Sequence, residues 1–272
     1  MTRIFAVLFC LLSNIAAADT FITLASTTST ENSGLYDAIL PHFTDATGID
    51  VRVVAVGTGQ AIKLAENGDA DLLLVHHRPS EEAFVAAGFG VERFDVMYND
   101  FVLIGPAGNP AGITQDMTVV DAFETISGTG SVFVSRGDDS GTHKKEREIW
   151  EMAGLEPEGQ WYLDVGRGMG AALNIAAAQN AYVLSDRGTW LSFQNRAGLS
   201  LVYEGDPPLF NPYGIVLVNP TRHPHTKVEA AKTFIDWITS ESGQSAIDAF
   251  RLAGEQLFFS NAITQPSILH NN

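Results

Sequence analysis

Four times along this chain an apolar, extended run ends in a short loop of Gly, Ser or Thr that opens a helix. These loops are STTST (Ser26 to Thr30), GTGQ (Gly57 to Gln60), SRGDDSGTH (Ser135 to His143) and GRGMG (Gly166 to Gly170). The recurrence restricts the fold more than any other feature, because strand, turn and helix alternating in this way build parallel sheets with crossover helices. DLLLVHH is almost continuously apolar, as expected of a strand buried on both faces. FDVMYNDFVLIGPAGNP is instead one long extended stretch closed by a Gly/Pro turn, and NPYGIVLVNP is a second, bracketed by Pro212 and Pro220. Both read as crossings between two halves, and the last third, with TKVEAAKTFIDWITS and SGQSAIDAF, reads as helical. The expected architecture is α/β and two-lobed, with 19–103 and 213–272 in one lobe, 104–212 in the other, and a ligand cleft between them.

In open α/β sheets ligands lie beyond the carboxyl ends of the strands, so the four loops are expected to share one rim, two from each half. A helix start presents unpaired N–H groups and the positive end of the helix dipole, which together make an anion site. The third loop carries the most chemistry. Ser135, Ser140 and Thr142 offer hydroxyls, Gly141 offers close backbone approach, and Arg136 supplies a planar cation suited to an oxyanion. Thr27, Thr28 and Thr58 complete the candidate set, with Ser26, Ser29, Gly59, Arg167, Gly168, Met169 and Gly170 behind them. Each loop taken alone also fits ordinary helix capping, and Arg136 alone fits a surface ion pair with Asp138 or Asp139.

Charge bears on the ligand in a less direct way. The chain has 16 basic and 32 acidic residues, a net −16, which argues against nucleic acid and against anionic membrane surfaces. An anion site survives in such a protein because exposed charges are screened over about 8 Å at physiological salt. The first eighteen residues combine Arg3, an apolar run from Ile4 to Leu12 and Ala16-Ala17-Ala18, the pattern of a secretory signal cleaved after Ala18. Ser13 and Asn14 break that run too early for a membrane anchor. The only cysteine, Cys10, falls within it, so the mature chain is expected to be periplasmic, without disulfides, and a monomer.

Other chemistries find less support. The histidines are scattered, so no metal cluster is expected, and no cofactor motif, G-x-S-x-G elbow or Walker loop occurs. His76 and His77 end the third strand near the proposed rim and read as satisfied polar groups rather than ligands. Arg136-Gly137-Asp138 spells an adhesion tripeptide, a coincidence inside a strand-loop-helix unit. Ser140 with His143 and Asp139 is the one hydrolase alternative, and it lacks a third member spaced to orient the ring.

Several segments together resemble the tungstate-binding periplasmic components of ABC importers: VGTGQA, NGDADLLLVH, MYNDFVLIGP, FVSRGDDSGTHKKE, WYLDVGRGMGAALNIA, LFNPYGIVLVNP and AKTFIDWITS. The resemblance implies a type II solute-binding fold that closes on one tetrahedral oxyanion, with a membrane permease and an ATPase as partners and no enzymatic activity. That family's first loop reads Thr-Thr-Thr-Ser, against Ser26-Thr27-Thr28-Ser29 here. Related phosphate binders share an Arg followed by Ser-Gly-Thr, matched by Arg136 and Ser140-Gly141-Thr142, and place a carboxylate at the end of the third strand. Here that place reads Val75-His76-His77. Without the carboxylate, an anion with no proton to donate is favoured: tungstate by resemblance, with molybdate and sulfate as alternatives of the same kind, and phosphate as an alternative ligand of the same fold.

Overall fold

The computed structural model describes residues 21–138 and 140–262. The expected signal segment, Cys10 included, lies outside them. The chain opens with strand β1 (Phe21–Thr27), the single turn α1 (Thr28–Asn32), helix α2 (Leu35–Thr47), β2 (Asp50–Val56), α3 (Thr58–Asn67), β3 (Leu72–Val75) and α4 (Arg78–Ala86). The long strand β4 (Gly90–Pro106) carries it into a second series: α5 (Val119–Thr129), β5 (Phe133–Ser135), α6 (Gly141–Met152), β6 (Tyr162–Asp164), α7 (Met169–Gln179), β7 (Tyr182–Asp186), α8 (Arg187–Ser192) and β8 (Leu199–Tyr203). Strand β9 (Phe210–Val218) returns to the first half. There α9 (Val228–Thr239), α10 (Glu241–Ala249), the small hairpin β10 (Arg251–Leu252) with β11 (Glu255–Gln256), and β12 (Phe259–Ser260) complete it.

The two series build the same arrangement twice. In the first, β2, β1 and β3 run parallel, β9 lies antiparallel beside β3, and β4 beside β9. In the second, β6, β5 and β7 run parallel, β4 lies antiparallel beside β7, and β8 beside β4. Strand β4 serves both. Through Asp100 it pairs with β9, and from Phe101 it pairs with β7, ahead of the expected boundary after residue 103. The return crossing falls between Tyr203 and Phe210, ahead of residue 212.

Each sheet is covered on both faces, which is why its parallel strands read as continuous apolar runs. Leu24, Phe43, Leu74, Ile215 and Phe234 fill one side of the first sheet, and Ala25, Ala61, Leu73 and Phe84 the other. In the second, Phe123, Phe133, Trp150 and Tyr182 face Val134, Leu173, Val183 and Trp190 across the strands. At the crossings, Arg187 grips Asp100 through two contacts of 2.6 Å and also reaches Glu204. One guanidinium thus ties the switch point of β4, the start of α8 and the end of β8 together. Its planar fork suits this use.

Candidate functional site

The parallel order brings the carboxyl ends of β1, β2 and β3 to face those of β5 and β7 across one cleft. It has an inner compartment of about 550 Å³ and an outer one of about 1130 Å³. His76, Phe101, Gly141 and Asn211 line both, so the two adjoin. Of the candidate residues, Ser29, Arg136, Gly141 and Thr142 line the inner compartment, and Thr58 and Gly59 line the outer. Both halves of the chain therefore contribute.

The first loop departs from expectation in its details. Ser26 is fully buried: its Oγ donates to the Leu74 carbonyl at 2.8 Å and is bonded to the Tyr36 hydroxyl at 2.6 Å. Its hydroxyl holds β1 against β3 and α2, and it is not among the residues lining the cleft. Thr27 is also turned inward, its hydroxyl 2.7 Å from that of Thr30. Thr28 and Ser29 are exposed at the start of α1, and Ser29 points toward His76.

Arg136 is held just below the surface, its guanidinium bonded to Asp138 by Nε at 3.1 Å and by Nη2, and 3.5 Å from the Thr142 hydroxyl. Asp138 in turn accepts the Ser140 N–H at 3.2 Å, and these bonds hold its carboxyl below the usual carboxylate range against the opposing effect of burial. Ser140 Oγ accepts the His143 N–H at 3.3 Å as the cap of α6. Ser140 thus acts as a helix cap, and Asp139, grouped with Ser140 and His143 in the hydrolase alternative, lies outside the described residues.

Gly137 makes the loop possible. Its φ is +57°, and a Cβ there would stand 1.6 Å from Asp164 Oδ1. The neighbouring Arg136 carbonyl accepts the Arg167 N–H at 3.0 Å. Gly137→Ala is therefore expected to shift the Arg136 guanidinium and weaken anion binding about tenfold, the left-handed strain alone costing about 1–2 kcal/mol. Titration calorimetry on the variant, with its Tm as a folding control, checks this.

Beneath the loop, Ser135 is wholly buried and faces Glu146 and Tyr162 without a hydrogen bond of ordinary geometry. Its hydroxyl lies at the base of the loop and is not among the groups lining the cleft. Glu146 accepts from the Tyr162 hydroxyl at 2.6 Å and from Trp150 Nε1 at 3.3 Å, and burial pushes its carboxyl up to about 7. A carboxyl that holds its proton more tightly when folded stabilises the fold below its unfolded value, and that stability is lost as pH rises through 7. Glu146→Gln keeps the acceptor and removes the titration. At about pH 8 the variant is expected to exceed the parent by roughly 2–4 kcal/mol, with little difference at about pH 4. Urea denaturation at the two pH values measures it.

The fourth loop contributes less than expected. The side chain of Met169 is buried in the core cluster that holds Val134 and Trp190. Arg167, Gly168 and Gly170 are exposed but do not line the cleft, and the loop's contact with the site is the backbone bond to Arg136. The structure adds residues not anticipated as site members: Asn99, Asn211, Tyr213, Asp186 and His76. Asn211 Nδ2 donates to Asn99 Oδ1 at 2.8 Å, joining the two crossing strands at the cleft floor. Asp186 ends β7, the counterpart of β3, and its carboxylate caps α8 through the Thr189 N–H at 2.8 Å and hydroxyl at 2.7 Å. The cleft therefore does contain a carboxylate, on the opposite half from the one considered in the sequence.

Two α/β lobes sharing two crossing strands, with helix starts and hydroxyls facing one cleft, define a periplasmic binding protein, and residues 14–242 match the PBP superfamily domain. The tungstate-binding protein TupA of Peptoclostridium acidaminophilum is 50% identical over 89% of this chain and 86% of its own length. The TupA structure from Desulfovibrio alaskensis G20 superposes with a TM-score of 0.86 at 45% identity, covering 90% of this chain and all of that one. The structure described as the tungstate ABC transporter from Geobacter sulfurreducens gives 0.73 at 46% identity, covering 86% of this chain and 100% of that one. The chain belongs to the TupA family of tungstate-binding proteins.

Proposed function

We propose that this protein captures one tungstate ion in the interlobe cleft and delivers it to a membrane permease driven by an ATPase. The observation that carries this reading is the convergence of donors on one space. Arg136 and the first turn of α6, at Gly141 and Thr142, come from one half, and Ser29 and Thr58 come from the other. Such groups only donate or can turn to donate, which is what an oxyanion without a proton requires. Thr28 and Gly59 flank the same rim, while Thr27 and Ser140 shape it through their local bonds.

A four-oxygen anion needs on the order of 100 Å³, taking roughly 30 Å³ per water-sized group. The inner compartment alone is several times larger, so capture requires the lobes to close over the anion about the crossings at Asp100 and Glu204. The working form is a periplasmic monomer, exported through residues 1–18, that binds and releases its anion chemically unchanged. Titration calorimetry with tungstate, molybdate, sulfate and phosphate tests the reading. Tungstate is expected to give saturable heat at one site, and tight phosphate binding with no tungstate heat would overturn it.

A further inference from the structure

We infer that His76 is a further ligand-contacting residue of this cleft, and that it takes up a proton when the dianion binds. The inference rests on the tungstate reading and concerns the same site. His76 lines both compartments and lies in the first half, across the cleft from Arg136. Its ring lies against Tyr213, with centroids 4.9 Å apart. Its Nε2 is 3.5 Å from Ser29 Oγ, too long for a strong hydrogen bond, and Asn211 is its other side-chain partner, while Ser29 Oγ also lies 3.2 Å from Thr27 Oγ1.

Charge is the second argument. Among the described residues, the charged groups lining the inner compartment are Arg136 and Asp186, and Arg136 is already bonded to Asp138. In that compartment one guanidinium thus stands against two carboxylates, the cations Arg78, Lys144, Lys145 and Arg147 lining the outer compartment together with Glu148, Glu151 and Glu156. A protonated imidazole would add a positive charge within the inner compartment, beside the partial positive charge of the α6 start. The groups around His76 are His77 on its own loop, Arg78 at the start of α4, Tyr213 on β9, Asn211 beside it, Asp186 at the start of α8, Arg136 across the cleft and, on α6 along the outer compartment, His143, Lys144, Lys145 and Arg147. Burial holds its pKa below the ordinary histidine value while the cleft is empty, Asn211 and Asp186 opposing this only in part.

A dianion beside the ring favours the imidazolium, with Nε2–H donating to an anion oxygen. Between the lowered value of the empty cleft and the raised value of the filled one, binding then consumes a proton. Affinity rises as pH falls through that window, by up to about tenfold per pH unit for one proton.

The experiment is calorimetric titration with sodium tungstate between about pH 7 and about pH 9, at each pH in two buffers of different ionisation heat, on the parent chain and on His76→Asn. The parent is expected to take up a fraction of a proton and to bind more tightly at the lower pH. His76→Asn keeps a side-chain donor and is expected to lose both the uptake and the pH dependence. Tungstate heat without proton uptake in the parent, or uptake unchanged in His76→Asn, overturns the role of His76 and leaves the proposed function standing. No tungstate heat at any pH overturns both.

Discussion

Arg136→Ala is expected to weaken tungstate binding by about 3 kcal/mol, roughly a hundredfold or more in Kd. Two losses add. The cation that would face the anion is removed, and Asp138, which accepts from that guanidinium, is left as an uncompensated carboxylate at the cleft wall. At an effective dielectric constant near 20, one unit charge 4 Å from another is worth about 4 kcal/mol, so the estimate is of the right order. Arg136→Lys keeps the charge and loses the two-pronged bond to Asp138, so its affinity is expected to fall between the two. Calorimetry on both variants, with the parent as reference, separates charge from geometry. An unchanged Kd in Arg136→Ala would remove this residue from the site.

Trp150→Ala is expected to have the largest effect on stability, about 3–5 kcal/mol by urea denaturation. The indole is fully buried on α6, with Phe123, Phe133 and Trp161 rings 4.5, 5.3 and 5.6 Å away. Truncation leaves a cavity and also removes the Nε1 donor to buried Glu146. The consequence reaches function, because α6 is anchored through this cluster at one end and presents Gly141 and Thr142 to the cleft at the other. Trp150→Phe retains most of the packing, and its cost is expected to be about half as large.

The alternation of elements could be read because it is a local property. Continuous apolar runs such as LLLV and glycine- or hydroxyl-rich helix starts declare themselves within a few residues. Which side of a loop faces the cleft is not local. Ser26 and Thr27 sit at the end of a strand covered on both faces, and only the positions of Leu74, Tyr36 and Thr30 decide that their hydroxyls turn inward. Met169 is the first residue of α7, yet it packs into the core because Val134 and Trp190 lie beneath it.

The residues missed come from pairings remote in sequence. Asn99 and Asn211 meet because β4 and β9 run side by side, 112 positions apart. A signal did exist, in polar asparagines interrupting otherwise apolar strands at both crossings. Asp186 could have been found by noticing that β7 repeats the role of β3, and that the carboxylate absent after Val75 has a counterpart there. In the sequence His76 reads as a satisfied polar group, as a lone histidine at a strand end usually is. Its place at both compartments, beside Ser29 and Asn211 and across from Arg136, argues for a role in binding.

The proposal that this cleft selects tungstate is tested most directly by letting the anions compete. The purified protein is equilibrated with equal amounts of tungstate, molybdate, sulfate and phosphate, freed of unbound salt, and its bound elements are measured. Tungsten retained at about one atom per chain, and absent from Arg136→Ala, is the predicted result. Phosphorus or sulfur retained in its place would contradict it.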